Sequence, residues 1–222
     1  FSDRLDDAEA GAIRWLAQTP TKSADSFNLA SVCCIKSCCL ASAFKFAQAR
    51  KSMGIAQPIM QEVSGPYSEG WICEIYALLS ILEGRYALAY PELLAGRSRV
   101  GEMLGEDSGL HGNMSLVAAH CAVEMGLPAE ARELVIHGLR TAHSHGLVDI
   151  VACGLEAAVN LWDGTTDGEI SLPGLQRIAD SYPPRLALMY ACFLTRRLLC
   201  LGRLEDAQSA AAELGFRSGR RS

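Results

Sequence analysis

Nine cysteines occur in the 222 residues, and four of them fall in one run, Cys33-Cys34-x3-Cys38-Cys39. Thiols at that density could hold a soft metal ion or form a redox pair, and Cys34 and Cys38 share a face if the run is helical. The spacing argues against zinc, whose structural sites place a C-x2-C pair on a tight turn with further ligands distant in sequence. The odd cysteine count is no disulfide framework. Reduced cysteine beside Ala and Leu is a small apolar side chain. Core packing in a reducing, cytoplasmic setting is therefore the leading reading, with a metal site or thiol sensor as the alternative.

The remaining reactive groups are dispersed. His143-x-His145 places two imidazoles on different sides of a helix, so a joint metal site is not expected, and both suit a helix C-terminus when protonated. His120 stands alone on a helix and either faces a groove or is a satisfied, half-buried histidine. Gly96-Arg97-Ser98-Arg99-Val100-Gly101 carries glycine and positive charge, but no strand precedes it and no Gly-Lys-Ser/Thr ends it, so it is no phosphate loop. Neither Gly-x-Ser-x-Gly nor His-Glu-x-x-His occurs. Asp6, Asp7, Glu205 and Asp206 sit where helices begin, and negative charge is favoured there. No catalytic residue, cofactor-binding residue or metal ligand is assigned, and a non-enzymatic chain is expected.

The elements that must position these groups are helices. Half of the chain is hydrophobic, enough for a core, and the net charge of −5 argues against a surface built to grip phosphate backbones. No apolar run is long enough to span a bilayer. The first residue is Phe1 and no signal segment follows, so the chain is expected to be part of a longer one.

A repeat organises the sequence. Counted from Asp3, Phe44, Gly84, Gly126, Gly164 and Gly202, the units are 41, 40, 42, 38 and 38 residues apart. Five positions after each stand Ala8, Ala49, Ala89, Ala131, Glu169 and Ala207, so only the unit at Gly164 departs from alanine. Seven positions before the last five come Ser37, Ala77, Ala119, Ala157 and Thr195; eleven before come Cys33, Cys73, Ser115, Cys153 and Ala191. These small residues, four apart, form a stripe on one helix face that lets a neighbouring helix approach. Larger apolar residues flank it: Ile75, Val117, Leu155 and Phe193, then Ile81, Val123, Leu161 and Leu199.

The pattern predicts helices at about 3–18, 25–43, 46–62, 67–83, 85–104, 110–125, 128–144, 147–162, 172–180, 185–201 and 204–214. Gly54 and Pro58 should weaken or kink the third, and the polar loop 163–168 should shorten the ninth. The expected fold is all-α, a right-handed superhelical solenoid of antiparallel helix pairs with a period of about 40 residues. It fills 1–214, and 215–222, with three arginines, is a linker or tail. Since the chain starts halfway through a unit, its N-terminal end should expose apolar surface. Trp15, Trp71 and Trp162 share no repeat column and are expected to pack. Tyr76, Tyr86 and Tyr90 gather around one turn, on a binding face or in the core.

Period narrows the family, because tetratricopeptide and ankyrin units are shorter. Trp71-Ile72-Cys73-Glu74-Ile75-Tyr76, Leu82-Glu83-Gly84-Arg85-Tyr86-Ala87-Leu88-Ala89 and Glu124-Met125-Gly126-Leu127-Pro128-Ala129-Glu130-Ala131 resemble the tetratricopeptide-like array of MalT-type LuxR-family bacterial transcriptional regulators. The resemblance is one of style and spacing and covers essentially the whole chain. It implies a parent protein with an ATPase module before the array and a helix-turn-helix after it. It implies also that the array senses an inducer or a regulatory protein and so controls self-association and promoter binding. The chain carries neither a phosphate loop nor a DNA-reading helix pair, so no nucleotide or nucleic-acid contact is assigned to it. First helices usually line the inner face of such arrays, which makes Tyr76, His120 and Arg196 the candidate groove residues; His120 and Arg196 share one repeat column. A general helical-repeat adaptor, unconnected with transcription, is the alternative. An enzyme on a helical scaffold is a third class, for which no catalytic constellation is found.

Overall fold

The computed structural model describes residues 5–18, 26–63, 65–141, 147–164 and 170–213, and among these it forms eleven helices and no strand. They are α1 (Leu5–Gln18), α2 (Ser26–Ser42), α3 (Phe46–Val63), α4 (Pro66–Leu82), α5 (Tyr86–Leu104), α6 (Gly109–Glu124), α7 (Pro128–Thr141), α8 (Val148–Leu161), α9 (Leu172–Asp180), α10 (Pro184–Cys200) and α11 (Leu204–Glu213). Helix α3 runs on through Gly54 and Pro58. Acidic residues fall in the first turns of α1 and α11, as their sequence positions require.

The repeat frame has a physical cause at its turns. Gly84, Gly126 and Gly202 have φ of 73°, 73° and 72°, and Phe44 occupies the same left-handed region at 58°. In each case the turn residue's N–H bonds three residues back, from Phe44 to Ala41, Gly84 to Ile81, Gly126 to Val123 and Gly202 to Leu199. The following N–H bonds five back, Lys45 to Leu40, Arg85 to Ser80, Leu127 to Ala122 and Arg203 to Leu198. This is the Schellman closure, which satisfies carbonyls left over at a helix end and favours glycine, since a Cβ in that region costs about 1–2 kcal/mol. Gly164 also has positive φ, 95°, but it follows an extended Trp162, with φ −66° and ψ 127°. The chain there does not enter the next helix directly, and α9 is the shortest of the eleven.

Just past each Schellman turn the alanine column is buried: Ala49, Ala89, Ala131 and Ala207 are all at 2 % exposure or less. Small residues before the turn face them. The Ser37 hydroxyl donates to the Ala49 carbonyl (3.0 Å) and Ser52 donates to the Cys33 carbonyl (2.9 Å). As position falls along α2 it rises along α3, so the pair is antiparallel. The flanking apolar columns are buried at Ile75, Val117, Leu155 and Ile81, but Leu199 is exposed, a departure from the sequence reading. Among the described residues its helix, α10, packs chiefly on α8, α9 and α11.

Packing divides the helices into two sets. Each helix lies against its neighbours in sequence, and α2, α4, α6, α8 and α10 also pack on one another in order, α2 on α4, α4 on α6, α6 on α8 and α8 on α10. Among the described residues no pair of odd-numbered helices packs comparably. Helix α6, at the middle of the even series, is enclosed by α4, α5, α7 and α8, and every residue from His111 to Ala122 is buried. Leu116 fills a narrow place between α7 and α8. A Cβ on Gly138 of α7 or Gly154 of α8 would stand 2.5 Å or 2.6 Å from its Cδ2, so only glycine at both positions leaves room for the leucine. Arg50 of α3 reaches Glu83 (2.7 Å), and Arg85 flanks the same carboxylate, tying α3 to the turn after α4.

Candidate functional site

The cysteine run lies on α2, with Cys33, Cys34 and Cys39 buried and all four free. Burial, with a smaller contribution from neighbouring Cys33, pushes the Cys34 thiol up to about 12; burial and the neighbouring Cys34 raise Cys38 as well. Both are held as thiols, the poorly nucleophilic and poorly ligating form. Among the described residues no group of three or more His, Cys, Asp or Glu side chains is arranged to hold a metal ion. His143 and His145 lie outside the described residues.

Along the even-numbered helices runs a cavity of about 530 Å3, within the range of small-molecule sites. Its apolar wall is built by Leu78, Ile81 and Leu82 of α4, Ala152 of α8, and Met189 and Phe193 of α10. The polar wall comes from α6, α8 and α10. Arg185 bonds Asp149 (2.6 Å), and Arg196 bonds Glu156 Oε1 (2.6 Å). His120 is 5 % exposed, and its Nδ1 lies 3.6 Å from Glu156 Oε2, beyond hydrogen-bond length, with no other partner. Its ring meets Tyr86 edge-on, with centroids 5.7 Å apart. Burial pulls the imidazole below its ordinary range, against the pull of Glu156 and Glu124 in the other direction. Glu124 completes this wall.

The structure thus brings His120 and Arg196 to one carboxylate, Glu156, and places Tyr76 elsewhere. The Tyr76 hydroxyl donates to Gln57 Oε1 (2.9 Å) in a second groove, of about 610 Å3, between α3, α4 and α5. That groove also holds Cys73 and the Arg99–Glu69 ion pair. Tyr90 faces a third hollow with Arg97, Glu130 and His137. The tyrosines near the α4–α5 turn therefore serve three different surfaces and form no single face. Trp162 is buried, with the Arg203 guanidinium 5.4 Å from its ring, in the packing role expected of it.

Two buried groups stand apart from the cavity lining. His111 Nδ1 and His137 Nε2 are 2.9 Å apart, with rings edge to face. Both are drawn below the usual histidine range, first by burial and then by Arg97. Glu74 on α4 is 3 % exposed with no partner for Oε1, and burial raises it well above a normal carboxylate.

Sequence reasoning missed Glu156, Asp149 and Arg185. The shared column of His120 and Arg196 was the available signal, and Cys38 and Leu78, in the same column, also line the cavity. Glu156 lies two positions off it, in the unit whose turn departs from the Schellman form, so counting from Gly164 passes it by. Among the described residues no helix is long and apolar enough to cross a membrane. A scan against protein-family models finds no match to this chain, and a search of curated proteins likewise finds none.

Proposed function

We propose that this chain is a non-catalytic sensing segment that takes its ligand along the layer formed by α2, α4, α6, α8 and α10. The observation that carries the reading is the cavity in which His120, Glu156 and Arg196 converge beside an apolar wall: a small set of polar groups fixing orientation over a hydrophobic surface is the usual build of a ligand site. The side chains come from three successive members of the layer, so a ligand that touches all three changes how the pairs pack on one another. Within the cysteine run, burial raises the Cys34 and Cys38 thiols, which disfavours them as nucleophiles.

In the finer reading the helix pairs form a right-handed superhelix of about 40-residue units. The segment belongs to a cytoplasmic, MalT-type LuxR-family regulator that couples an inducer or regulatory protein to self-association and to DNA binding by other domains. The supports are the resemblance at Leu82–Ala89 and Glu124–Ala131 and the recurrence of one turn geometry at Phe44, Gly84, Gly126 and Gly202. Two experiments test the two levels. Coding DNA around the segment should specify a phosphate-loop module upstream and a helix-turn-helix downstream; neither being present leaves a general adaptor. Substituting His120 and Arg196 should abolish effector response with folding intact, and a full response in that variant removes the cavity as the site.

A further inference from the structure

The charges around the cavity do not balance. Three carboxylates, Glu124, Asp149 and Glu156, line it against two guanidiniums, Arg185 and Arg196. Each guanidinium is already committed, Arg185 to Asp149 and Arg196 to Glu156. Glu124, exposed at the rim of the cavity, is the carboxylate left over. Burial disfavours the charged form of His120, against the pull of Glu156 and Glu124. His120 Nδ1 is buried, lies 3.6 Å from Glu156 Oε2 and has no hydrogen-bond partner; a donor set between the two would select the tautomer protonated at Nε2, in which Nδ1 offers a lone pair. A buried acceptor left unsatisfied costs about 1–3 kcal/mol, so a ligand that donates to it gains by filling the vacancy.

Resting on the reading of this cavity as the sensing site, we propose that its ligand is a small organic cation: a protonated amine on an apolar body, with the ammonium donating to His120 Nδ1 and Glu156 and neutralising the charge of Glu124. An ammonium supplies donors and no acceptor, and the free polar groups here are acceptors. A bound +1 charge brings the lining to neutrality, whereas a carboxylate ligand would double the imbalance in a partly desolvated site where charge–charge energies are larger than in water. Tyr86 and Phe193 also line the cavity, and aromatic rings there favour a cation. Leu78, Ile81 and Met189 take the apolar body, and about 530 Å3 limits it to small-molecule size.

The test uses three probes of one shape, 3-phenylpropylammonium, 3-phenylpropanol and 3-phenylpropionate. Each is titrated into the chain at neutral pH, followed by calorimetry and by the NMR signals of the His120 ring. The expected result is saturable binding of the ammonium that shifts the His120 ring, at least tenfold tighter than the alcohol, with no binding of the carboxylate. Glu156→Gln and Glu124→Gln should each weaken the ammonium at least threefold, while Glu130→Gln, in the hollow beside Tyr90, should leave it unchanged. If the alcohol or the carboxylate shifts the His120 ring with affinity equal to the ammonium, the cavity stands as a site and the cation assignment is overturned. If none of the three moves that ring at millimolar concentration, the cavity is not the sensing site and both readings fall together.

Discussion

Helix α6 carries two buried histidines on different surfaces, and their surroundings are opposite in kind. His111 meets His137 of α7 at hydrogen-bond distance, and His111 is itself near Gly101 of α5, where an added Cβ would stand 3.2 Å from its ring. That side of α6 is the more closed one: the two facing nitrogens of the pair satisfy each other, and His137, not His111, reaches the hollow beside Tyr90. His120 faces a cavity, and its Nδ1, 3.6 Å from Glu156 Oε2, is too far from it for a hydrogen bond. Burial is the chief cause lowering both rings below the ordinary histidine range, so the direction of titration alone would not tell them apart. The difference lies in whether the polar valence is used. A used valence stabilises the fold, and an unused one beside empty volume is available to a ligand.

Four experiments would break or sharpen this contrast. The largest effect belongs to the closed side. Leu116→Ala removes the side chain lodged between Gly138 and Gly154 and should cost about 2–5 kcal/mol in urea unfolding. A loss under about 1 kcal/mol would show that side to be loosely packed. His137→Ala orphans His111 and should cost about 1–3 kcal/mol without moving the His120 ring signals; a shift there would mean that the two surfaces are coupled.

Acid should act on both sides together. The folded-state pKa values of His111, His137 and His120 lie below the unfolded value of 6.5. Their contribution is therefore fully present above pH 6.5 and is lost as pH falls toward the folded values, since the unfolded chain takes up the protons first. Unfolding free energy measured from pH 7 to 5 should decline, and His137→Asn should flatten the decline; an unaltered slope would exclude the closed pair as its source. The smallest effect on stability is expected from Arg196→Ala. Its side chain is 55 % exposed, so the ion pair with Glu156 is worth at most about 1 kcal/mol. A larger loss would assign Arg196 to the framework and remove it from the open site.

Helix order and most boundaries could be read from the sequence because the signals are local. A left-handed residue at each Schellman turn, an alanine five positions on and small side chains upstream all follow from contacts within one helix pair. Phe44 shows that the frame is geometric: the bulky ring takes the glycine position and projects outward, 75 % exposed. The cavity was only partly legible. Its polar wall joins α6, α8 and α10 across the irregular turn near Gly164, and such a meeting depends on how pairs stack, which no single-pair periodicity encodes. Tyr76, Tyr86 and Tyr90 illustrate the same limit, since residues clustered about one turn diverge once each follows its own helix face. Glu74 gave no sequence signal at all, being an ordinary carboxylate until its helix is enclosed.

The unequal packing of the two helix sets has a mechanical consequence. A stack whose members pack directly on one another along one side, and on the other meet only their neighbours in sequence, bends like a hinged fan, with the joined side as the line that keeps its length. The even-numbered helices form that line here. Deformation should therefore open or close the spaces between the odd-numbered helices while the even-numbered helices hold their spacing. A molecule wedged against α6, α8 and α10 acts on the hinge line itself, where a displacement of a fraction of an ångström becomes a larger sweep at the outer edge.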